Sequence, residues 1–314
     1  MNLRHVSFRL LEVFMSVVRT RSISETARRL HLTQPTVSLQ IKRLQDAVGE
    51  PLVSINYQKL VITEAGFALF KTCQEVFGHF DDYQNQLAEL RDGERGRCKI
   101  AMVNTAQYIL PKLIGPYSAL QPKVEFPLHI GNRADVLERF NNGEDDIYIF
   151  SNPPSLEHAQ AARFLQNPLR FIAPTNHPLV KKENICLADL MKYRFLLREP
   201  GSATRMLFES ELQNRGLVLS DSIQIASNEA ICASVASGMG IAVLSQHVFV
   251  QGTPRFSILN VADTNITSYW YFVLRTDRHL SRAAKRFITF SHLHLEEHLG
   301  SEWIRNELLS LNLE

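Results

Sequence analysis

Apolar residues recur at helical spacing from the start of the chain. Phe8, Leu11, Met15 and Val18 form one stripe, which predicts an amphipathic helix over residues 5–19. Ile23, Ala27 and Leu30 mark a short second helix, with Ser22 placed to cap it. Val37, Ile41, Leu44 and Val48 mark a third, opened by Thr33 as N-cap with Pro35 in its first turn and stopped by Gly49. Only His31 to Gln34 separate the second helix from the third. Two short helices joined by so tight a turn predict a helix-turn-helix, whose second helix can enter a DNA major groove. Residues 52–63 then alternate loosely as a short β-ribbon with Asn56–Tyr57 at its tip, the place for a wing.

A different period follows. Leu69, Cys73, Val76, Phe80, Tyr83, Leu87 and Leu90 are spaced alternately four and three apart, the a/d pattern of a coiled coil. A helix from Thr63 to Arg91 would be roughly 43 Å long at 1.5 Å per residue. The sequence Asp92-Gly93-Glu94-Arg95-Gly96 reads as a hinge. Beyond it, strands and helices alternate. Strands are expected at 98–103, 124–130 and 147–150, with helices at 107–120 (interrupted near Pro111) and 134–141. A second set has strands at 169–173, 195–197, 223–226 and 241–244, with helices at 203–215 and 229–237. Such alternation predicts βαβ units on parallel sheets. Residues 268–275 and 281–294 add a last strand and helix, and Trp303, Ile304, Leu308 and Leu311 suggest a further amphipathic helix in the tail.

Composition excludes several classes. With 45% hydrophobic and 21% charged residues, the 314-residue chain is that of a globular protein with a real core. No apolar run approaches the ~18 residues that cross a bilayer, so no membrane partner is expected. The N-terminal segment has no secretory pattern, and Cys73, Cys98, Cys186 and Cys232 form no CxxC pair. A cytoplasmic protein with reduced thiols is the expectation. The net charge of +2 conceals an uneven spread. Residues 1–59 carry nine basic and four acidic side chains, a net +5, whereas residues 60–92 carry two and six, a net −4. The remainder is +1. A basic head fits a nucleic-acid partner.

The third helix buries one stripe and leaves Gln34, Thr36, Ser38, Gln40, Lys42 and Arg43 on its other faces. Hydroxyls and amides near a helix N-terminus can reach base edges, while Lys42 and Arg43 can neutralise phosphates. With Thr33 and Pro35 at the helix start, Arg28 on the second helix and Lys59 on the ribbon, these are the candidate DNA contacts.

Residues Ser22 to Leu30, Thr33 to Ile41, then Leu44, Gly49, Leu52 and Thr63-Glu64-Ala65-Gly66 resemble the N-terminal signature of LysR-type transcriptional regulators. The resemblance runs to about residue 297. Gly131-Asn132-Arg133, residues 136–140, 145–149, 153–154, 197–205 and 227–231 look like the subgroup that controls carbon-fixation (Rubisco) operons. Regulators of sulfur and central carbon metabolism share parts of that pattern. The resemblance implies a winged helix-turn-helix over 1–62, a dimerisation helix over 63–92 and a two-lobed effector domain over 93–297. That domain would have the periplasmic-binding-protein fold, with one lobe of about 97–168 plus 269–297 and the other about 169–268. It further implies a homodimer through the long helix, a homotetramer, and an operator with an inverted repeat. Residues 298–314 would be a C-terminal extension past the usual family end. Other departures are Val53-Ser54-Ile55-Asn56-Tyr57 in place of an arginine-bearing wing, which leaves Lys59 as the basic group there. Glu25-Thr26 replaces a pair of small residues, and Ala203 stands where glycine is common.

In open α/β sheets, ligands gather at strand carboxyl ends beside helix N-termini. Asn104, Thr105, Asn132, Arg133, Ser202, Thr204, Asn228 and Glu229 stand at such places, although N-capping alone would explain several. Oriented N–H groups favour an anion, so the expected effector is a small phosphorylated or carboxylated metabolite, with no other cofactor.

Enzyme signatures are weak. His294-x-x-Glu297-His298 matches the pattern of inverted zinc peptidases, but the segment closes the last helix and no third ligand is evident. It reads as a solvated helix end. Gly238-Met239-Gly240 lacks the third glycine of a dinucleotide fingerprint and reads as a helix cap. No nucleophile elbow or phosphate-cradling loop is present, so catalysis is not expected. A solute-binding protein would suit the body alone, but the head and neck speak against it.

Overall fold

The structure is a computed structural model that describes residues 3–56, 59–91, 95–249 and 256–313, with backbone only at 3, 55, 81–82, 84–86 and 88–91. The expected wing-tip residue Tyr57 and the expected hinge at 92–94 lie outside the described residues, as does the side chain of Leu90. The chain divides into two compact units, Met1–Gln84 and Asn85–Glu314, at a point inside the long helix.

In the first unit, α2 (Ile23–Arg29) and α3 (Gln34–Val48) start where capping chemistry predicts, whereas α1 (Phe8–Thr20) begins three residues after the expected start, behind Ser7 as N-cap. Ser22 Oγ accepts from the Glu25 N–H at 3.2 Å, and Thr33 Oγ1 accepts from the Thr36 N–H at 3.3 Å. Gly49 ends α3 with φ +85°, a conformation that suits a residue without Cβ. The apolar stripes meet in one core around Val13, Phe14, Val17, Val37 and Leu44, all completely buried. Strands β1 (Val53–Asn56) and β2 (Lys59–Ile62) pair antiparallel. Gln45 Oε1 accepts from the N–H groups of Leu52 (2.8 Å) and Val53 (3.0 Å), tying the ribbon's base to α3.

Helix α4 (Glu64–Arg91) is long, as expected, but its apolar seam is not one continuous coiled-coil face. Cys73 is 1% exposed within the head core, and Leu69, Phe70 and Phe77 pack against that core. Phe8 of α1 meets Phe77 and Phe80 edge-on at 5.6 and 4.9 Å. The head therefore uses the first half of the seam for itself. Phe67, Phe80 and Tyr83 keep about half their surface exposed, at 53%, 48% and 54%.

The second unit is built on one mixed sheet. Its elements are β3 (Gly96–Arg97), β4 (Ile100–Val103), α5 (Pro111–Leu120), β5 (Val124–Glu125), β6 (Leu128–Gly131), α6 (Arg133–Asn141), β7 (Ile147–Ser151) and β8 (Ala159–Pro174). Then come α7 (Leu187–Leu190), β9 (Phe195–Leu197), α8 (Ala203–Asn214), β10 (Ser222–Gln224), α9 (Asn228–Ala236) and β11 (Ile241–Ser245). The last are β12 (Phe256–Leu259), β13 (Thr267–Arg275) and α10 (Arg282–Leu299). Sheet order is β10-β9-β11-β8-β13-β7-β4-β6, with β12 also on β8. The outer groups β6-β4-β7 and β10-β9-β11 are parallel, as the βαβ pattern predicts. The middle strands β8 and β13 run antiparallel to their neighbours.

Strand β8 makes two lobes from one sheet. Residues 159–168 pair with β13, and residues 169–172 pair with β11. Each lobe is covered by helices, giving separate cores around Phe164, Trp270 and Phe287 in the first and Phe171, Phe195 and Phe208 in the second. In the first lobe Asp145, in the turn before β7, is buried and held by Arg139 through two bonds of 2.7 and 2.9 Å.

The tail is not the expected amphipathic helix. After α10 the chain runs alongside β8, with Leu165 and Ile304 forming an antiparallel bridge. The Gln166 N–H donates to the Trp303 carbonyl at 2.7 Å and the Glu307 N–H to the Arg163 carbonyl at 2.7 Å. Backbone groups of β8 that would otherwise stand open are thereby satisfied, which a helix could not do. Only residues 308–310 form a single 3-10 turn, and Leu308 and Leu311 are buried in the first lobe's core.

Candidate functional site

Helix α3 turns Val37, Ile41, Leu44 and Ala47 inward, which fixes what faces out. Thr33, Gln34, Pro35, Ser38, Lys42 and Arg43 are exposed, while Thr36 and Gln40 are half-buried. The hydroxyls of Thr33 and Thr36 lie 2.8 Å apart, so Thr33 serves the helix cap first. Leu39, 49% exposed between Ser38 and Gln40, adds an apolar group that the sequence pattern did not single out. Gln40 Oε1 is buried without a partner among the described residues. It borders an open cleft of about 730 Å³ where Ser7, Arg9 and Arg43 also converge. Arg28 and Arg29 both pair with Glu25, which holds that carboxylate below its usual range. The charge of Arg28 is thus partly met within its own helix. Lys59 is exposed at the start of β2.

The second unit has a cleft between its lobes. Asn104, Thr105, Asn132, Arg133, Ser202 and Thr204, six of the eight expected effector residues, line a common cavity of about 30 Å³. That is room for about one water molecule. From the first lobe, Asn104 and Thr105 follow β4, and Asn132 caps α6. Its Oδ1 accepts from the Ala134 and Asp135 N–H groups at 2.8 and 3.0 Å. Arg133 lies over the Phe150 ring and donates to the Asn152 carbonyl at 2.9 Å; burial lowers its pKa. From the second lobe, Ser202 stands at the start of α8 but makes no capping bond with its side chain.

The remaining two expected residues lie apart from the cavity wall. Ser227, not Asn228, caps α9, accepting from the Ala230 N–H at 3.2 Å. Asn228 is buried and donates to Thr105 Oγ1 at 3.2 Å across the cleft. Glu229 is exposed and accepts from Gln107 at 3.2 Å and from the Tyr108 hydroxyl, both on the first lobe. Hydrogen bonds from Ser227 and Tyr108 hold Glu229 below the usual carboxylate range. These two residues latch the lobes together.

Sequence reasoning missed the most telling side chains. Arg198, 4% exposed, follows β9 and lines the cavity. It forks onto Glu199 with bonds of 2.8 and 2.9 Å and reaches Asn228 at 2.5 Å and Thr105 at 3.4 Å. The strand-end rule that selected Asn104 applies equally to Arg198. Trp270 is completely buried and lines the same cavity, yet its indole N–H has no partner among the described residues. Lying mid-strand, it gave no sequence signal. Asn167 and Ser151 also line the cavity; the Asn167 amide donates to the hydroxyls of Ser151 and Ser268, each at 2.9 Å, and Ser245 donates to Asn167 Oδ1 at 2.6 Å. This buried chain joins β7 and β13 to β8 and β11. A cavity with a buried guanidinium, hydroxyls and an unpartnered indole donor suits a small anion rich in acceptor oxygens.

Residues 8–67 match the LysR-family bacterial regulatory helix-turn-helix, and residues 91–296 match the LysR substrate binding domain. The chain is 34% identical over 292 residues to the RuBisCO operon transcriptional regulator of Acidithiobacillus ferrooxidans, covering 92% of this chain and 94% of that one. Its body is similar to the regulatory domain of Synechocystis CcmR in complex with 2-PG, with TM-score 0.58 and 34% identity over 62% of this chain and 94% of that one. Full-length CbnR, solved in complex with its target DNA, shares the fold at TM-score 0.64 and 17% identity over 91% of this chain and 98% of that chain. Among the described residues no helix is long and apolar enough to cross a membrane. Head, long helix and two-lobed body together with these matches show that the chain belongs to the LysR family of DNA-binding transcriptional regulators.

Proposed function

We propose that this regulator controls carbon-fixation genes and that its interlobe cleft senses 2-phosphoglycolate or a chemically similar phosphorylated carboxylate. The observation that carries the reading is the cleft itself. It gathers Arg198, Arg133, Ser202 and Thr204 around a cavity that is also lined by Trp270, whose N–H has no partner among the described residues, in a chain 34% identical to a domain solved with 2-PG (2-phosphoglycolate). The ligand is larger than this one-water cavity, so the lobes part to admit it; Arg198 then meets one anionic end, displacing Glu199, and the indole N–H meets an acceptor oxygen. The protein acts by binding, without catalysis or a further cofactor, in the cytoplasm. Titration with 2-phosphoglycolate, followed by fluorescence of Trp270 and Trp303, tests this. Saturable change is expected, and a flat response contradicts it.

One variant sharpens the test. Trp270→Phe keeps an aromatic ring and removes the donor. A hydrogen bond to a charged acceptor contributes ~1.5–3 kcal/mol, so the ligand's Kd should rise by roughly 10- to 100-fold; an unchanged Kd would remove Trp270 from the binding set.

On the DNA side, α3 reads an inverted repeat through Gln34, Thr36, Ser38 and Gln40, with Leu39 available for a thymine methyl. Lys42, Arg43 and Lys59 meet phosphates, Arg28 less strongly because of Glu25, and Thr33 and Pro35 set the helix entry. Heads are paired through the exposed part of α4 as a homodimer, and two dimers form a homotetramer. Thr36→Ala and Ser38→Ala should each reduce discrimination between operator and random DNA, by about 1–3 kcal/mol per lost base contact. Arg43→Ala should weaken binding to every sequence and flatten the salt slope by about 1. Gel shifts across a salt series read both effects, and unchanged affinities in all three variants would exclude α3 as the reader.

A further inference from the structure

The last two turns of α10 carry side chains that neither DNA nor effector binding uses. His294, Glu297 and His298 stand at i, i+3 and i+4, so they share one helix face. A ring nitrogen of each histidine and a carboxylate oxygen of Glu297 lie within 4.8 Å of one another. His294 Nδ1 and Glu297 Oε2 are already 2.8 Å apart. Phe290, 8% exposed, stacks on both imidazoles, with ring centres 4.5 Å from His294 and 5.8 Å from His298. A fixed aromatic neighbour restricts the rotamers of both rings, which lowers the entropy lost when their nitrogens converge. The group also sits at the C-terminal end of the helix, where the peptide dipoles favour positive charge.

We propose that His294, Glu297 and His298 form a binding site for a divalent transition-metal ion, Zn²⁺ being the ion that best fits the donors. Two imidazoles and one carboxylate form a borderline-soft set suited to zinc. Donors bound at ~2.0–2.2 Å around a tetrahedral ion stand roughly 3.3–3.6 Å apart, so contraction by about an ångström completes the set. The metal replaces the His294–Glu297 hydrogen bond, and water takes the fourth position. Bound metal staples the end of α10, one turn before Gly300, where the tail leaves towards β8. His292, on the same helix, bonds Asn306 of that tail at 3.0 Å, so the staple stiffens the segment that anchors it.

The test uses the full-length protein, stripped with a chelator and titrated with ZnCl₂ by calorimetry. One equivalent of zinc should bind to the wild type and be lost in the His294→Ala/His298→Ala variant. Glu297→Gln should weaken binding by at least ~10-fold, since even supporting groups of a metal site contribute that much. Cys186→Ser, which removes the exposed thiol, should change nothing. Thermal melting of the metal-free proteins should be the same in all four forms, and zinc should raise it only where the site is intact. The proposal is overturned by a wild type that takes up no zinc, by binding that survives the double variant or is unaffected by Glu297→Gln, or by binding that disappears with Cys186.

Discussion

Arg198→Ala should abolish the response to 2-phosphoglycolate while leaving DNA binding by the head intact. Arg198 is 4% exposed, and its guanidinium touches Glu199, Asn228 and Thr105. Removing it deletes the buried cation that an incoming anion needs and leaves Glu199 without its counter-ion. Truncating one partner of a buried, hydrogen-bonded charge pair costs about 2–5 kcal/mol, so affinity should fall by at least ~30-fold. Arg198→Lys should recover little, because a point charge cannot make the forked contact. Calorimetric titration of both variants reads this directly. Wild-type affinity in Arg198→Ala would place the anion elsewhere.

Gly66→Ala should unseat the DNA-binding head. A Cβ at this position would lie 2.1 Å from the Leu52 carbonyl oxygen and 2.8 Å from Ile62 Cγ2. The carbonyl cannot swing away, because it accepts from the Thr63 N–H at 3.1 Å while the Leu52 N–H is held by Gln45. Glycine at 66 is therefore the condition for α4 to start against the ribbon. Forced overpacking costs roughly 1–3 kcal/mol, which in a domain this small lowers Tm by about 4–8 °C per kcal/mol. Gly115→Ala is the matched control. That glycine lies in α5 with nothing within 4 Å of the added Cβ, so the change should be neutral or stabilising by ~0.5–1 kcal/mol. Differential melting and gel shifts on the two variants should show loss of head stability and DNA binding for Gly66 alone. Equal behaviour of the two would contradict the tight junction.

Sequence pattern resolved best those elements whose signals are local. Ser22, Thr33 and Gly49 bound their helices through caps a few residues long, and α3 begins and ends where they dictate. Long-range pairing was harder to see. Residues 159–168 of β8 mix alanine, glutamine, arginine and proline without a period, and are strand only because β13 and the tail flank them. The tail shows the converse error. Its apolar spacing suits a helix, but the open edge of β8 supplied partners that a helix would have refused. In α4 the heptad spacing is real, yet Cys73 is absorbed by the core of its own head. Periodicity reports that a face is buried, not what buries it.

The cleft was partly legible for the same reason. Asn104, after a strand, and Ser202, before a helix, follow from chain order alone, and they do line the cavity. Trp270 required knowing which buried donor had no partner among the described residues, and the interlobe role of Glu229, a residue the sequence did offer, required knowing that Tyr108 stands opposite.

Quantitative footprinting on the upstream DNA of a carbon-fixation operon, with and without 2-phosphoglycolate, measures head and cleft in one experiment. Protection over an inverted repeat is expected, with an extent or affinity that 2-phosphoglycolate changes in the wild type and not in Arg198→Ala. No protection, or protection that is indifferent to the ligand in the wild type, would contradict an effector-gated regulator of these genes.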